Sequence, residues 1–127
     1  MYVMARVKES STNSQNRRCL DSCNLTYAAG IVGGRWKMLI INHLQAGVLR
    51  FSELRRKIPA STERMLTLQL RELEAAGMVT RTVYAEVPPR VEYALTASGR
   101  ELIPVLRQLH EWGGRHRAAL PTRPEES

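Results

Sequence analysis

Residues 50–96 read RFSELRRKIPASTERMLTLQLRELEAAGMVTRTVYAEVPPRVEYALT, and this stretch decides the fold. Residues 51–58 are predicted to form a short helix that Ser52 caps and Pro59 stops, because the residue before a proline is pushed out of helical geometry. Ser61 is predicted to cap a longer helix after this turn. The buried face of that helix is formed by leucines at positions i, i+4 and i+7, namely Leu66, Leu70 and Leu73.

The segment after the longer helix has the pattern of a β-hairpin. Gly77 is predicted to end that helix, at the position where a left-handed residue is required. Residues 79–84 and 91–95 are rich in β-branched and aromatic side chains, which indicates paired strands joined by a basic, proline-rich loop. A helix pair followed by a hairpin is typical of a winged helix-turn-helix, which places one helix in the major groove of DNA. The predicted fold class is mainly α with a small β-hairpin wing.

Helical spacing of apolar residues predicts three more helices around this segment. They cover residues 24–32, residues 36–45, and the stretch from Thr96 or Ser98 to about residue 118. The last helix has an apolar side made of Leu102, Leu106 (or Val105), Leu109 and Trp112.

Composition limits the class of protein. The chain has 127 residues, with 19 Lys and Arg against 12 Asp and Glu and a formal charge of +7, which favours a polyanionic partner; a merely basic, soluble surface is the alternative. No stretch approaches the ~20 apolar residues of a membrane span, and no secretory signal is present, so we expect a cytoplasmic protein with reduced thiols. We expect a flexible arm at 1–18, a winged domain with dimerisation helices at 19–120, and a flexible tail at 121–127.

The longer helix is the candidate reader of DNA. With its leucines facing inward, its outer face and its N-terminal end carry hydroxyl, apolar and guanidinium groups. A helix N-terminus suits a phosphate, arginine binds guanine in a bidentate manner, and methyl-bearing side chains contact thymine. The alternative is an ordinary solvated helix, which typically carries more Glu/Lys pairs four residues apart. The predicted DNA-binding residues on this helix are Ser61, Thr62, Arg64, Met65, Thr67, Leu68 and Arg71.

The loop at residues 84–90 is the candidate wing. Prolines stiffen it, and Arg90 at its end is predicted to reach a phosphate or the minor groove. A plain rigid hairpin turn is the alternative.

Several sequence blocks together resemble the HxlR-type winged-helix transcriptional regulators, relatives of the MarR-like group. The resemblance covers roughly residues 23–112. It departs from the family pattern at Asn24, where many members have proline. The matching blocks are Cys23, GGRWK at 33–37, RFSEL at 50–54, Ser61, MLT at 65–67, LRELE at 70–74, GMV at 77–79, PPRVEY at 88–93, LTASG at 95–99, and Trp112.

This resemblance implies a homodimer whose first and last helices form the interface. The two recognition helices then lie in successive major grooves of a pseudo-palindromic operator in double-stranded DNA. Family members act as repressors or activators of nearby genes, and here a repressor is expected. A subset of the family responds to electrophiles or oxidants through the cysteine before the first helix.

Cys23 is therefore a candidate redox sensor, with Cys19 as a possible resolving partner. The helix dipole, with Arg17 and Arg18 nearby, favours a thiolate at Cys23, which an electrophile or oxidant can modify. The alternative is a small idle cysteine. Two cysteines without further ligands do not make a zinc site, so neither a metal nor a cofactor is expected.

Two other functions remain open. One is a regulator that responds to a small aromatic effector bound against Trp36 or Trp112. The other is a basic winged-helix module for RNA or protein that has no operator. An enzyme is not expected, because no Gly-rich phosphate loop follows a strand and neither a nucleophile elbow nor an HExxH motif is present.

Overall fold

A computed structural model of the chain describes residues 23–121. The predicted arm at 1–18, Cys19, Arg17 and Arg18 lie outside the described residues, as does the predicted tail beyond residue 121. The described residues belong to two units, which meet between residues 34 and 35 of the sequence. The first unit contains helix α1 (Asn24–Val32), as predicted. The second contains α2 (Lys37–Leu44), β1 (Leu49–Arg50), α3 (Phe51–Lys57), α4 (Glu63–Ala75), β2 (Val79–Tyr84), β3 (Arg90–Leu95) and α5 (Ala97–Ala119).

The second unit has a three-stranded antiparallel sheet in the order β1-β3-β2. The hairpin register pairs Val79 with Leu95 at its base and Tyr84 with Arg90 at its tip, so β3 begins one residue earlier than predicted. Strand β1 was not predicted, because a two-residue strand is too short to show an alternating pattern. It lies on the other edge of β3, where Leu49 pairs with Tyr93.

The hydrophobic core lies between α2, α3, α4 and the base of the sheet. The three predicted leucines of α4 are 0%, 1% and 0% exposed, which confirms the inward face of this helix. Burying each of these side chains stabilises the fold by about 1.5–3 kcal/mol. Their partners in the core are Ile40, Ile41, Leu44, Leu54, Ile58, Val79, Tyr93 and Leu95.

Both predicted helix caps in the helix-turn-helix are wrong. The N-cap of α4 is Thr62, whose hydroxyl accepts a hydrogen bond from the backbone N–H of Met65 at 3.0 Å. Ser61 is 4% exposed, and its hydroxyl donates to the carbonyl of Ile58 at 2.9 Å, so it closes the preceding turn instead. Helix α3 begins after Arg50 rather than at Ser52, and the Glu53 carboxylate accepts from the Arg50 backbone N–H at 2.8 Å.

The ends of α4 and α5 are joined by a close backbone contact. Gly77 has a φ of +78°, as its predicted role at the end of α4 requires. The Thr96 hydroxyl accepts from the backbone N–H of Gly99 at 3.1 Å, so Thr96 is the cap of α5 rather than Ser98. A Cβ atom at Gly99 would collide with the carbonyl oxygen of Met78. These contacts fix where the hairpin begins relative to α4.

Candidate nucleic-acid interface

The outward face of α4 gathers six of the predicted DNA-binding residues on one surface. Arg64, Leu68 and Arg71 are exposed. Leu68 is apolar, and yet 47% of its surface is accessible to solvent. The surface consists of Thr62, Arg64, Met65, Thr67, Leu68 and Arg71, together with Glu63. Ser61 is not part of it, because its side chain is buried in the turn before α4.

Hydrogen bonds within α4 determine which groups its surface can offer. The Thr67 hydroxyl donates to the backbone carbonyl of Glu63 at 2.9 Å, so its methyl group is the part left for an apolar contact. The thioether sulfur of Met65 accepts from the Gln69 amide at 3.3 Å, which holds that side chain along the helix. The α4 surface therefore combines fixed apolar groups with two arginines.

The arginines of α4 are not neutralised by neighbouring acids. Within residues 23–121, neither Arg64 nor Arg71 has a carboxylate oxygen within 4 Å of its guanidinium nitrogens. An exposed guanidinium in this state retains all its donors for phosphate or guanine.

An ion pair with one half-exposed partner joins α4 to α2. The Lys37 ammonium lies 2.6 Å from the Glu72 carboxylate, and the Lys37 side chain is only 12% exposed. The pair joins the first residue of α2 to the C-terminal half of α4. Neither residue was assigned a role from the sequence, although Lys37 is part of the GGRWK block at 33–37 and Glu72 is part of the LRELE block at 70–74.

The strand register gives the wing two faces. Because directly opposed residues share a face, Val79, Arg81 and Val83 lie with Leu95, Tyr93 and Val91; this inner face continues the core. The other side, the outer face, carries Thr80, Thr82, Tyr84, Arg90, Glu92 and Ala94.

Arg90 is on the outer face and is held there by other wing residues. Its Nη2 lies 3.3 Å from Glu86 Oε2 and its Nε lies 3.4 Å from Glu92 Oε2. Its guanidinium also lies 4.0 Å from the centre of the Tyr84 ring. Arg90, the predicted DNA contact of the wing, is therefore paired with two carboxylates. The sequence carried a signal for this, since Glu92 is two residues further along the same strand and must share the face of Arg90.

A cleft between α4 and the inner face contains an arginine that sequence reasoning missed. It is lined by Phe51, Glu63, Thr67, Arg71, Glu74, Arg81, Val91 and Tyr93. Arg81 is exposed and is two residues from the buried Val79, so strand alternation alone places it on the inner face.

The two tryptophans predicted as contacts for an aromatic effector, Trp36 and Trp112, do not line the apolar groove between α2 and α5. This groove is lined by Met38, Leu39, Asn42, Leu106, Leu109 and His110. Trp112 instead stacks on His116 of the same helix, with ring centres 5.2 Å apart. Arg35 lies over the Trp36 ring at 5.5 Å.

Cys23 lies at the start of α1, as predicted; it occupies the N-cap position there and is exposed. The polar groups of Thr26, its backbone N–H and its hydroxyl, together with the backbone N–H of Leu25, favour the charged form and lower the pKa of the Cys23 thiol. Asn24 in place of proline therefore still leaves the sulfur at the start of the helix.

Two further observations concern metals and membranes. In the part of the chain that the structure describes, His, Cys, Asp and Glu side chains form no group of three or more able to hold a metal ion. Among the helices of residues 23–121, none is both long and apolar enough to span a bilayer.

Comparison with known proteins shows what the chain resembles. The family model described as HxlR-like helix-turn-helix matches residues 31–120. An uncharacterized HTH-type transcriptional regulator of Methanothermobacter thermautotrophicus is 54% identical over 91 residues, which cover 72% of this chain and 70% of the relative. The uncharacterized HTH-type transcriptional regulator YybR of Bacillus subtilis is 49% identical over 100 residues, covering 79% of this chain and 80% of YybR.

Solved structures give the same picture. The redox regulator HypR in its reduced form has a TM-score of 0.72 at 49% identity, covering 75% of this chain and 94% of HypR. Its oxidized form has a TM-score of 0.69 at 50% identity, covering 73% and 96%. The predicted winged helix-turn-helix fold is thereby confirmed. The relatives are transcriptional regulators, which also confirms that the chain is not an enzyme.

Proposed function

Because the chain belongs to the HxlR-like helix-turn-helix family, and is thus a transcriptional regulator with a helix-turn-helix DNA-binding domain, we propose that it represses nearby genes by binding a specific operator as a homodimer. The observation that carries the proposal is the α4 surface, where two arginines that have no acidic partner within residues 23–121 lie among apolar groups. Such a combination suits both the charged backbone and the base edges of the major groove.

The residues of the α4 surface other than Glu63 make contacts with bases or with the DNA backbone in this proposal. Arg64, in the first turn of the helix, binds guanine through its guanidinium. The methyl group of Thr67 and the side chain of Leu68 contact thymine methyl groups. Thr62 and the free N–H groups beside it bind a phosphate, with Met65 packed against the sugar edge. Arg71, further along the helix, contacts the backbone at the edge of the groove.

Direct binding tests sequence-specific recognition. The full chain is titrated against the DNA upstream of its own gene and against a random duplex of equal length, in mobility-shift assays at several salt concentrations. We expect the upstream DNA to bind at least about 10³-fold more tightly. Equal affinity for both duplexes would contradict the proposal of a specific operator and would favour a general nucleic-acid or protein-binding module instead.

Exposed apolar residues on α5 support the homodimer. Val105, Leu109 and Trp112 are 57%, 45% and 54% exposed, so the predicted apolar side of this helix is largely uncovered in one chain. A second copy of α5 covers such a stripe by symmetry. Sedimentation of Leu109→Glu is expected to give a monomer. The matched control, Val87→Glu, alters a fully exposed wing residue and is expected to leave a dimer.

We further propose that Cys23 senses electrophiles. Its exposure at the start of α1 and its lowered pKa support this, as does the similarity to the redox regulator HypR. The Cys23 thiolate adds to a ring carbon of a quinone, a C–S bond forms, and the ring takes up one proton to become a substituted hydroquinone. The modification lies at the end of a helix proposed for the dimer interface, where it alters the spacing of the two recognition helices.

A pair of serine variants tests the sensor. Cys23→Ser is expected to hold DNA in the presence of a quinone, while Cys19→Ser still releases it. If the Cys23→Ser protein releases DNA as the unmodified chain does, Cys23 is not the sensor. A response that a non-reactive phenol reproduces would point instead to the apolar groove between α2 and α5.

A further inference from the structure

The wing carries two arginines that differ in position and in charge environment. Arg90 lies on the outer face and is paired with Glu86 and Glu92. Arg81 lies on the inner face, directly opposite Tyr93, and within residues 23–121 it has no carboxylate oxygen within 4 Å. Of the two, Arg81 is the one whose charge is left for an external anion.

The position of Arg81 links it to the recognition surface. Arg81 lines the same cleft as Thr67 and Arg71 of α4, so the cleft borders directly on the α4 surface. A recognition helix in a major groove is flanked by the sugar-phosphate strands that border the groove. The cleft adjoins the α4 surface and so lies beside such a strand in the proposed complex, while the outer face is turned away from the cleft.

The cleft has one apolar wall and a set of charged side chains. Tyr93, 7% exposed, and Val91 form the apolar wall beside the exposed Arg81. Glu63 and Glu74, in the first and last turns of α4, also line the cleft, but neither carboxylate lies within 4 Å of a guanidinium nitrogen of either arginine in the cleft. Both guanidinium groups therefore keep their donors for an external anion.

We infer that Arg81, beside Arg71, binds a phosphate group of the DNA backbone in the cleft between α4 and the inner face of the wing. Arg81 rather than Arg90 is then the phosphate contact of the wing. This inference rests on the proposed DNA-binding function. It adds a contact that is independent of base sequence and that fixes the position of the wing beside the groove.

Salt dependence distinguishes the two arginines. Arg81→Gln, Arg81→Lys and the matched control Arg90→Gln are compared with the unmodified chain on upstream DNA and on a random duplex. For Arg81→Gln, the slope of log K against log salt is expected to become shallower by about 1, and both duplexes weaken by the same factor. Arg81→Lys keeps the charge and is expected to restore the slope. Arg90→Gln is expected to leave the slope unchanged.

The outcomes separate this inference from the proposed function. If the unmodified chain prefers its upstream DNA but Arg81→Gln leaves the slope unchanged, the phosphate contact at Arg81 is wrong and the regulator stands. An equal loss of slope in Arg90→Gln would overturn the choice of Arg81 over Arg90, because both arginines would then reach DNA. If the unmodified chain shows no preference between the duplexes, the operator proposal fails, whatever the slopes show.

Discussion

The recognition helix and the tip of the wing both present arginines, but the two regions hold them differently. Arg64 and Arg71 of α4 are exposed and have no acidic partner within the described chain. Arg90 of the wing lies between two carboxylates and over an aromatic ring. The difference shows that the number of basic residues overstates the charge available to DNA, because part of that charge is already used to order the wing.

The largest expected effect is the difference in stability between substitutions on the two faces of α4. Leu70→Ala removes a side chain that is 1% exposed, and we expect the free energy of unfolding to fall by about 2–5 kcal/mol. Leu68→Ala, on the α4 surface, is expected to change it by no more than about 0.5 kcal/mol. Urea unfolding of both variants measures the difference. Similar losses would mean that α4 is also packed on its outward face and is not free to enter a groove.

DNA binding by single arginine variants gives the next largest effect. Arg64→Ala is expected to cost about 1–3 kcal/mol of operator affinity and to relax specificity at one base pair, if Arg64 binds guanine. Arg90→Ala is expected to change affinity far less, because its charge is paired within the wing. Titration against operators with single base-pair changes measures both quantities. An Arg64→Ala protein with unchanged specificity would remove this residue from the base contacts.

The inward and outward faces of α4 were predictable from the sequence, because they depend on the helical periodicity of its residues. Leucines four and three residues apart fix the inward face of α4, and the outward residues follow from 100° per residue. The cap was harder to predict, because Ser61 and Thr62 are adjacent and chemically equivalent as caps. The geometry of the turn after Pro59 decides between them. Periodicity on α5 likewise marks an apolar side but does not say what covers it, and Leu106 is buried while Trp112 is exposed.

The function of the wing was less predictable for a related reason. The pairing of Arg90 depends on strand register and on the path of the loop that brings Glu86 within 3.3 Å. A search for basic residues at the loop end selects Arg90 and passes over Arg81, which lies in mid-strand. Strand alternation from the buried Val79 is the signal that would have distinguished them.

Substitution of Arg90 is expected to affect stability more than substitution of Arg64, which is the reverse of the order expected for DNA binding. Arg90→Gln breaks two ion pairs and a cation–π contact of a half-buried side chain, and we expect a loss of about 1 kcal/mol or less in the free energy of unfolding. Arg64→Gln breaks no such contact and is expected to stay within about 0.5 kcal/mol. Thermal unfolding at low and high salt measures both. If Arg90→Gln is as stable as the unmodified chain, the wing does not depend on this pairing.

The smallest expected effect is a pH dependence of the free energy of unfolding that arises from His43 and is not shared by DNA binding. Burial, with a contribution from Lys57, lowers the pKa of His43 on α2, so the folded chain holds this imidazole neutral where the unfolded chain would protonate it. As the pH falls through the ordinary histidine range, the unfolded state binds more protons and the free energy of unfolding decreases. His43→Gln is expected to remove this part of the pH dependence. Operator affinity measured where the protein stays folded should not follow the same curve, because the arginines of α4 remain charged throughout. A parallel fall in affinity that His43→Gln abolishes would show that α2 and the DNA surface are coupled.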